Sequence, residues 1–187
     1  FVGGLSEATY FPNYLHIICA FARYCVFLGL KKLHSSDVIA ALEFFETKHR
    51  PTADYRFESH LAEVHVDAGS QLISQELRDF LLAAHVRLIA AAPHHQHQNG
   101  LNERRWQLVR LIMFKHLTHA RLGLEFLDMS LKYSYEVSNM LPLKLVTVTL
   151  PDGTVVPSTP FKKYFEFKPP VGRFRVFGCP VVVKVYT

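Results

Sequence analysis

Two carboxylates stand out in this chain of 187 residues for where they sit. Asp67 closes the alternating stretch VHVD, where a strand should give way to a turn, and Glu103, in NGLNERR, falls on the first turn of a long helical pattern. Thirty-five residues separate them. An acid at a strand end and an acid at a later helix start can converge on one point, as divalent cations engaged in phosphoryl chemistry require. A plainer reading stands beside this one. A turn aspartate makes local hydrogen bonds, and an acid at a helix start is favoured by the helix dipole whether or not it binds anything.

The elements that must position these two residues can be read in order. Residues 1 to 13 carry Gly3, Gly4 and Pro12 and read as a tail. Tyr14 to Ala22 and Tyr24 to Lys31, with Arg23 between them, are rich in Ile, Phe, Val, Tyr and Cys and predict an antiparallel hairpin. Ser35, Ser36 and Asp37 supply cap chemistry for a helix carrying Val38, Ala41, Leu42 and Phe45, ending near His49 before Pro51. Leu61 to Asp67 alternates as a short strand and Gly69 breaks it. Ser74 is placed to cap a helix bearing Leu77, Phe80, Leu81 and Ala84, and Val86 to Ala92 reads as a buried strand stopped by Pro93. Strand, helix, strand with short links predicts a parallel crossover.

The turn HHQHQNG leads into the long helix from about Leu101. There Leu101, Arg105, Leu108 and Ile112 share one face, and Glu103, Gln107 and Arg110 another. A second helix spans about Leu122 to Asn139, with Leu124, Leu127, Leu131 and Tyr135 inward and Pro142 as its stop. Leu143 to Leu150 and Thr154 to Pro157, around the turn Pro151-Asp152-Gly153, predict a hairpin, and Phe174 to Tyr186 one or two closing strands.

Composition narrows the function classes. The length fits one domain with a sizeable core, and 49% apolar and 13% aromatic residues oppose disorder. The net charge of +5 and pI of about 9.2 suit a polyanionic partner without demonstrating one. The longest apolar run, Ile17 to Leu30, contains Arg23 and is shorter than the ~20 residues of a membrane helix, so no membrane span is expected. With no initiator Met, the expectation is an internal fragment. With no charged leader followed by an apolar stretch, secretion is not expected. Cys19, Cys25 and Cys179 have no paired spacing, which fits buried thiols in a reducing compartment. No nucleophile elbow and no Gly-rich phosphate loop is present.

The flanks of the two acids carry a more specific signal. ICAFARY near residue 20, VDAGSQ at 66 to 71, HQNGLNERR at 97 to 105, NMLP at 139 to 142, TPF at 159 to 161 and RFRVFGCPVVV near the end together resemble the integrase catalytic core of copia-type LTR retrotransposons, within the retroviral integrase family. The resemblance implies an α/β fold with a ribonuclease-H-like mixed sheet and helices on both faces. It also implies Mg²⁺ held by an Asp, Asp, Glu triad, insertion of element DNA into a target, a nuclear location and association of copies. On this resemblance residues 14–142 are the core and 143–187 a C-terminal extension ending in the RVFGC strand.

Carried onto this chain, the resemblance makes Asp67 and Glu103 metal ligands. Cys19 stands at the position of the first triad Asp, and that thiol is a soft ligand where magnesium prefers hard oxygen. Gln71 replaces a second acid of the pattern and Leu72 an aromatic. The expectation is therefore a polynucleotidyl transferase core impaired in catalysis, with a catalytically silent nucleic-acid-binding or assembly module as the rival. Phosphate contacts are expected from Asn99, Arg104, Arg105, Arg110 and Lys115, joined by Lys162, Lys163, Lys168, Arg173 and Arg175. The cluster His94, His95, His97 offers a zinc reading as a more distant rival, without a Cys pair at finger spacing.

Overall fold

The computed structural model describes residues 11–49, 62–66, 73–90 and 100–179. The expected first hairpin forms from β1 (Asn13–Ile18) and β2 (Cys25–Leu30), antiparallel, with Asn13 opposite Leu30 and Ile18 opposite Cys25. Its strands are shorter than the apolar run because the chain turns at 19 to 24. The Cys19 N–H donates to the Tyr24 carbonyl and the Arg23 N–H to the Cys19 carbonyl, each at 2.8 Å, with Arg23 in the left-handed region at φ 61.

Helix α1 (Ser35–Lys48) buries Val38, Ala41, Leu42 and Phe45 as the periodicity predicts. The expected serine cap does not form. His34 is the capping residue and makes no side-chain bond, while the Ser35 hydroxyl donates to Ser74 Oγ at 2.7 Å. Ser74 does cap α2 (Gln75–Ala83), accepting from the Leu77 N–H at 3.3 Å. Strands β3 (Glu63–Val66) and β4 (Arg87–Ala90) flank that helix and pair in parallel, Val64 against Leu88.

The long helix α3 runs over Gly100–Ala120. The next helical pattern divides into a 3₁₀ turn, Leu124–Phe126, and α4 (Leu127–Met140). Leu131 and Tyr135 point inward as expected, but Leu124 is 70% exposed because it lies on the turn and not on the helix. Strands β5 (Leu143–Thr149) and β6 (Val155–Ser158) make the expected hairpin, with Gly153 at φ 83 in its turn.

A short helix absent from the sequence reading follows. In α5 (Pro160–Phe165), Thr159 accepts from the Lys162 N–H at 3.0 Å and Pro160 begins the first turn. The expected closing strand is not formed between Phe174 and Cys179, and 180–187 lie outside the described residues.

Among the described residues the backbone bonds make three separate two-stranded sheets, β1-β2, β3-β4 and β5-β6, and the continuous mixed sheet of the sequence reading is not closed by hydrogen bonds. Side chains join the first two instead. Leu15, Ile17 and Leu28 of the hairpin and Val64 and Leu88 of the parallel pair share one apolar cluster with α1 and α2.

The hairpin is covered on both faces, and strand alternation sorts its side chains. On one face Leu15, Ile17, Tyr24, Val26 and Leu28 meet α1, α2 and α5. On the other, Tyr14, His16, Ile18, Cys25 and Phe27 meet α3 and α4 through Val109, Met113, Leu131 and Tyr135. Helix α5 inserts Phe161 and Tyr164 beside Tyr24 and Phe45, so the segment after 142 supplies part of the core.

Candidate metal and nucleic-acid site

Glu103 lies on the first turn of α3 and is exposed. A carboxylate there gains from the positive end of the helix dipole, and as a hard oxygen donor reachable from solvent it suits magnesium. Asp67 lies outside the described residues, as do Asn99, Gln71, Leu72 and the histidines 94, 95 and 97. Among the described residues no group of three His, Cys, Asp or Glu side chains gathers closely enough to hold a metal ion.

Cys19 and the inner side of the helix that bears Glu103 pack on different faces of the hairpin. Cys19 continues the Leu15, Ile17 side of the hairpin and packs on the cluster of Ala22, Tyr24, Phe45, Phe161 and Tyr164. Its Sγ accepts from the Ala22 N–H at 3.3 Å, which tightens the turn. The helix bearing Glu103 packs on the opposite face, through Val109 and Met113. A thiol held against aromatic rings is not a magnesium ligand, so of the three carried-over positions the described residues supply one fitting donor, Glu103.

The basic residues divide sharply. Arg104, Arg110 and Lys115 are exposed along α3, with Arg104 Nε donating to the Gly100 carbonyl at 3.0 Å and Arg110 over the Phe114 ring at 5.7 Å. Arg105, expected to contact phosphate, is turned inward and only 5% exposed. Helical geometry is the reason: Arg105, Val109, Met113 and Leu117 form the buried stripe of α3, so position 105 faces the hairpin. Its Nε donates to Cys25 Sγ at 3.2 Å, and Nη2 to Ser138 Oγ at 3.2 Å and Asn139 Oδ1 at 3.1 Å.

In the C-terminal part, Lys162 and Lys168 are exposed. Lys163 donates to the Thr147 carbonyl at 3.1 Å and stands 4.5 Å from the Phe21 ring centroid, and Arg175 turns back to the Gly172 and Phe174 carbonyls, each at 3.0 Å.

Around Arg105 the interior is polar, which the sequence reading missed. Asn139 clasps the Cys25 peptide from both sides: its Oδ1 accepts from the Cys25 N–H at 3.0 Å and its Nδ2 donates to the Cys25 carbonyl at 2.6 Å. Burial pushes the Cys25 thiol up in pKa, with Arg105 opposing. Burial first, and then the Arg105 charge, holds His16 down at about 4. The signal available in the sequence was the NMLP segment, where Asn139 closes a run of Ser130, Ser134 and Ser138 at spacing four along one buried stripe of α4.

No protein-family model matches the chain. Among solved structures it is similar to the HTLV-2 integrase catalytic core domain in complex with magnesium, in its trimeric form, at 18% identity and a TM-score of 0.52, over 81% of this chain and 92% of that one. The dimeric form of the same domain gives 17% identity and a TM-score of 0.51, with the same coverage. The simian T-cell lymphotropic virus intasome in complex with PP2A regulatory subunit B56 gamma gives 17% identity and a TM-score of 0.56, over 94% of this chain and 58% of that chain. The mixed arrangement of helices and small sheets described above is thus the fold of integrase catalytic cores.

Proposed function

We propose that this chain is the catalytic core of a copia-type retrotransposon integrase, binding DNA and derived from an enzyme of DNA strand transfer. The observation that carries the reading is the exposed Glu103 on the first turn of α3, flanked by exposed Arg104 and Arg110, within a fold shared with integrase cores. Asp67, by its place after β3 and its VDAGSQ context, is the partner ligand. Asp67 and Glu103 would hold magnesium, which would supply Lewis acidity for displacement at a DNA phosphorus. Arg104, Arg110 and Lys115 place the phosphate backbone beside these acids without reading sequence. Assembly of several copies on DNA is part of the same reading, since the similar structures include dimeric and trimeric cores and an intasome.

Catalysis is impaired in this reading, because position 19 offers a thiol packed among aromatic rings and no carboxylate. That observation also favours a silent DNA-binding module as the second reading. Both require the basic face of α3, which is tested by the dependence of DNA affinity on salt. Replacing Arg104, Arg110 and Lys115 together by Ala should flatten the slope of log K against log salt by about 0.9 for each phosphate no longer neutralised. An unchanged slope would mean that these residues are only solvated surface.

A further inference from the structure

The interior between the β1-β2 hairpin, the start of α3 and α4 holds a cation that, among the described residues, bonds no carboxylate. The hydrogen bonds that Arg105 makes there go to neutral groups, the Cys25 thiol, the Ser138 hydroxyl and the Asn139 amide oxygen, and its Nη1 has no hydrogen-bond partner. The buried Tyr135 hydroxyl in this same region also has no hydrogen-bond partner, while His16 and Asn102 lie against each other as a side-chain pair. The His16 and Tyr135 ring centroids are 5.1 Å apart, and Asn102 stands one turn before Arg105 on the helix face beside the His16 ring. Unpaired polar atoms are uncommon in protein interiors, and the Arg105 charge acts on the Tyr135 hydroxyl, so the two orphaned donors can share one partner.

We propose that this part of the interior is a binding site for a small monovalent anion of the halide class, held by Arg105 Nη1 and the Tyr135 hydroxyl. Charge decides between an anion and a water molecule. Either can satisfy the hydrogen bonds, since the guanidinium N–H and the Tyr135 O–H both donate. A water leaves the buried positive charge uncompensated, a cost that an anion offsets. Arg105 and Tyr135 are buried, so the site is distinct from any phosphate path along the exposed face of α3, and it stands whether or not Asp67 and Glu103 bind magnesium.

The experiment is thermal unfolding of the full chain in sodium chloride, sodium bromide and sodium gluconate at one ionic strength, gluconate being too large to enter. A ligand that binds the folded state alone raises its midpoint with concentration. The midpoint should rise by a few degrees in chloride and bromide relative to gluconate. Arg105→Met, which keeps the aliphatic stem, should abolish the difference, and Tyr135→Phe should move the rise to higher halide concentration. If Arg105→Met does not fold, Tyr135→Phe decides alone. Equal midpoints in halide and gluconate would indicate a water and overturn the proposal, as would a halide effect unchanged in either variant.

Discussion

The two faces of the β1-β2 hairpin are built on different physics. On the α1 and α5 side, Tyr24, Phe45, Phe161, Tyr164 and Phe165 close a contact of rings, with Tyr24 and Tyr164 stacked at 4.5 Å between centroids. That face is held by area and shape and contains Cys19 as a small apolar filler. On the α3 and α4 side the apolar contacts of Val109, Met113 and Leu131 surround a buried polar network of Cys25, Arg105, Ser138 and Asn139. The proposed site is backed by the polar face: Glu103 is exposed on the helix whose inner side carries Arg105, two residues on. What holds Arg105 and the Cys25 strand therefore also sets the position of the first turn of α3.

The sharpest way to break this difference between the faces is to remove the clasp. Asn139→Ala leaves the Cys25 N–H and carbonyl without their partner in the interior and takes one of two hydrogen bonds from Arg105 Nη2, which keeps Ser138. Unsatisfied buried groups each cost about 1 to 3 kcal/mol, so a destabilisation of roughly 3 kcal/mol is expected in denaturant unfolding. A value below about 1 kcal/mol would show that the network is not what holds this face.

Cys19→Asp probes the other face. If the thiol were at a metal site, a carboxylate there would be welcome. Packed with Ala22, Tyr24 and Phe161, it should cost about 2 kcal/mol. Unchanged stability together with new magnesium binding would reverse the assignment of position 19 to the aromatic face.

The smallest effect is a pH dependence. His16 is held at about 4 in the folded chain against 6.5 unfolded, so between these values the unfolded chain binds more protons. Stability is therefore full above 6.5 and declines as pH falls toward 4. Going from neutral to about pH 5.5 should cost roughly 1 kcal/mol from this residue. His16→Phe should reduce the decline without removing it, because burial also lowers His49 and His116. An identical pH profile in the variant would place His16 in contact with solvent.

Much of the frame was legible. The strand-forming residues of 14 to 31, the Ser74 cap and the Pro151-Asp152-Gly153 turn act through local geometry, which sequence reports directly. Helix α5 was also readable, since Thr159 followed by Pro160 is a helix start, but its short run of apolar residues hid it. Arg105 was misread because a guanidinium suggests a surface, although its own period grouped it with apolar Leu101, Leu108 and Ile112, which are half-buried beside the stripe of Arg105, Val109, Met113 and Leu117. Cys19 could not be placed from motif alignment, because a residue just past a strand end is committed to one face or the other by a turn that only the fold determines. Of the proposed site, the place of Glu103 on the first turn of a helix was legible, and Asp67 lies outside the described residues.

Whether Asp67 and Glu103 share a divalent cation is decided by calorimetric titration of magnesium into the full chain. Binding should be measurable in the unmodified chain, abolished in Asp67→Asn and in Glu103→Gln, and unchanged in Cys19→Ala, since the thiol lies on the other face of the hairpin. Binding that survives both carboxylate substitutions, or that vanishes with Cys19→Ala, would contradict the shared-cation site.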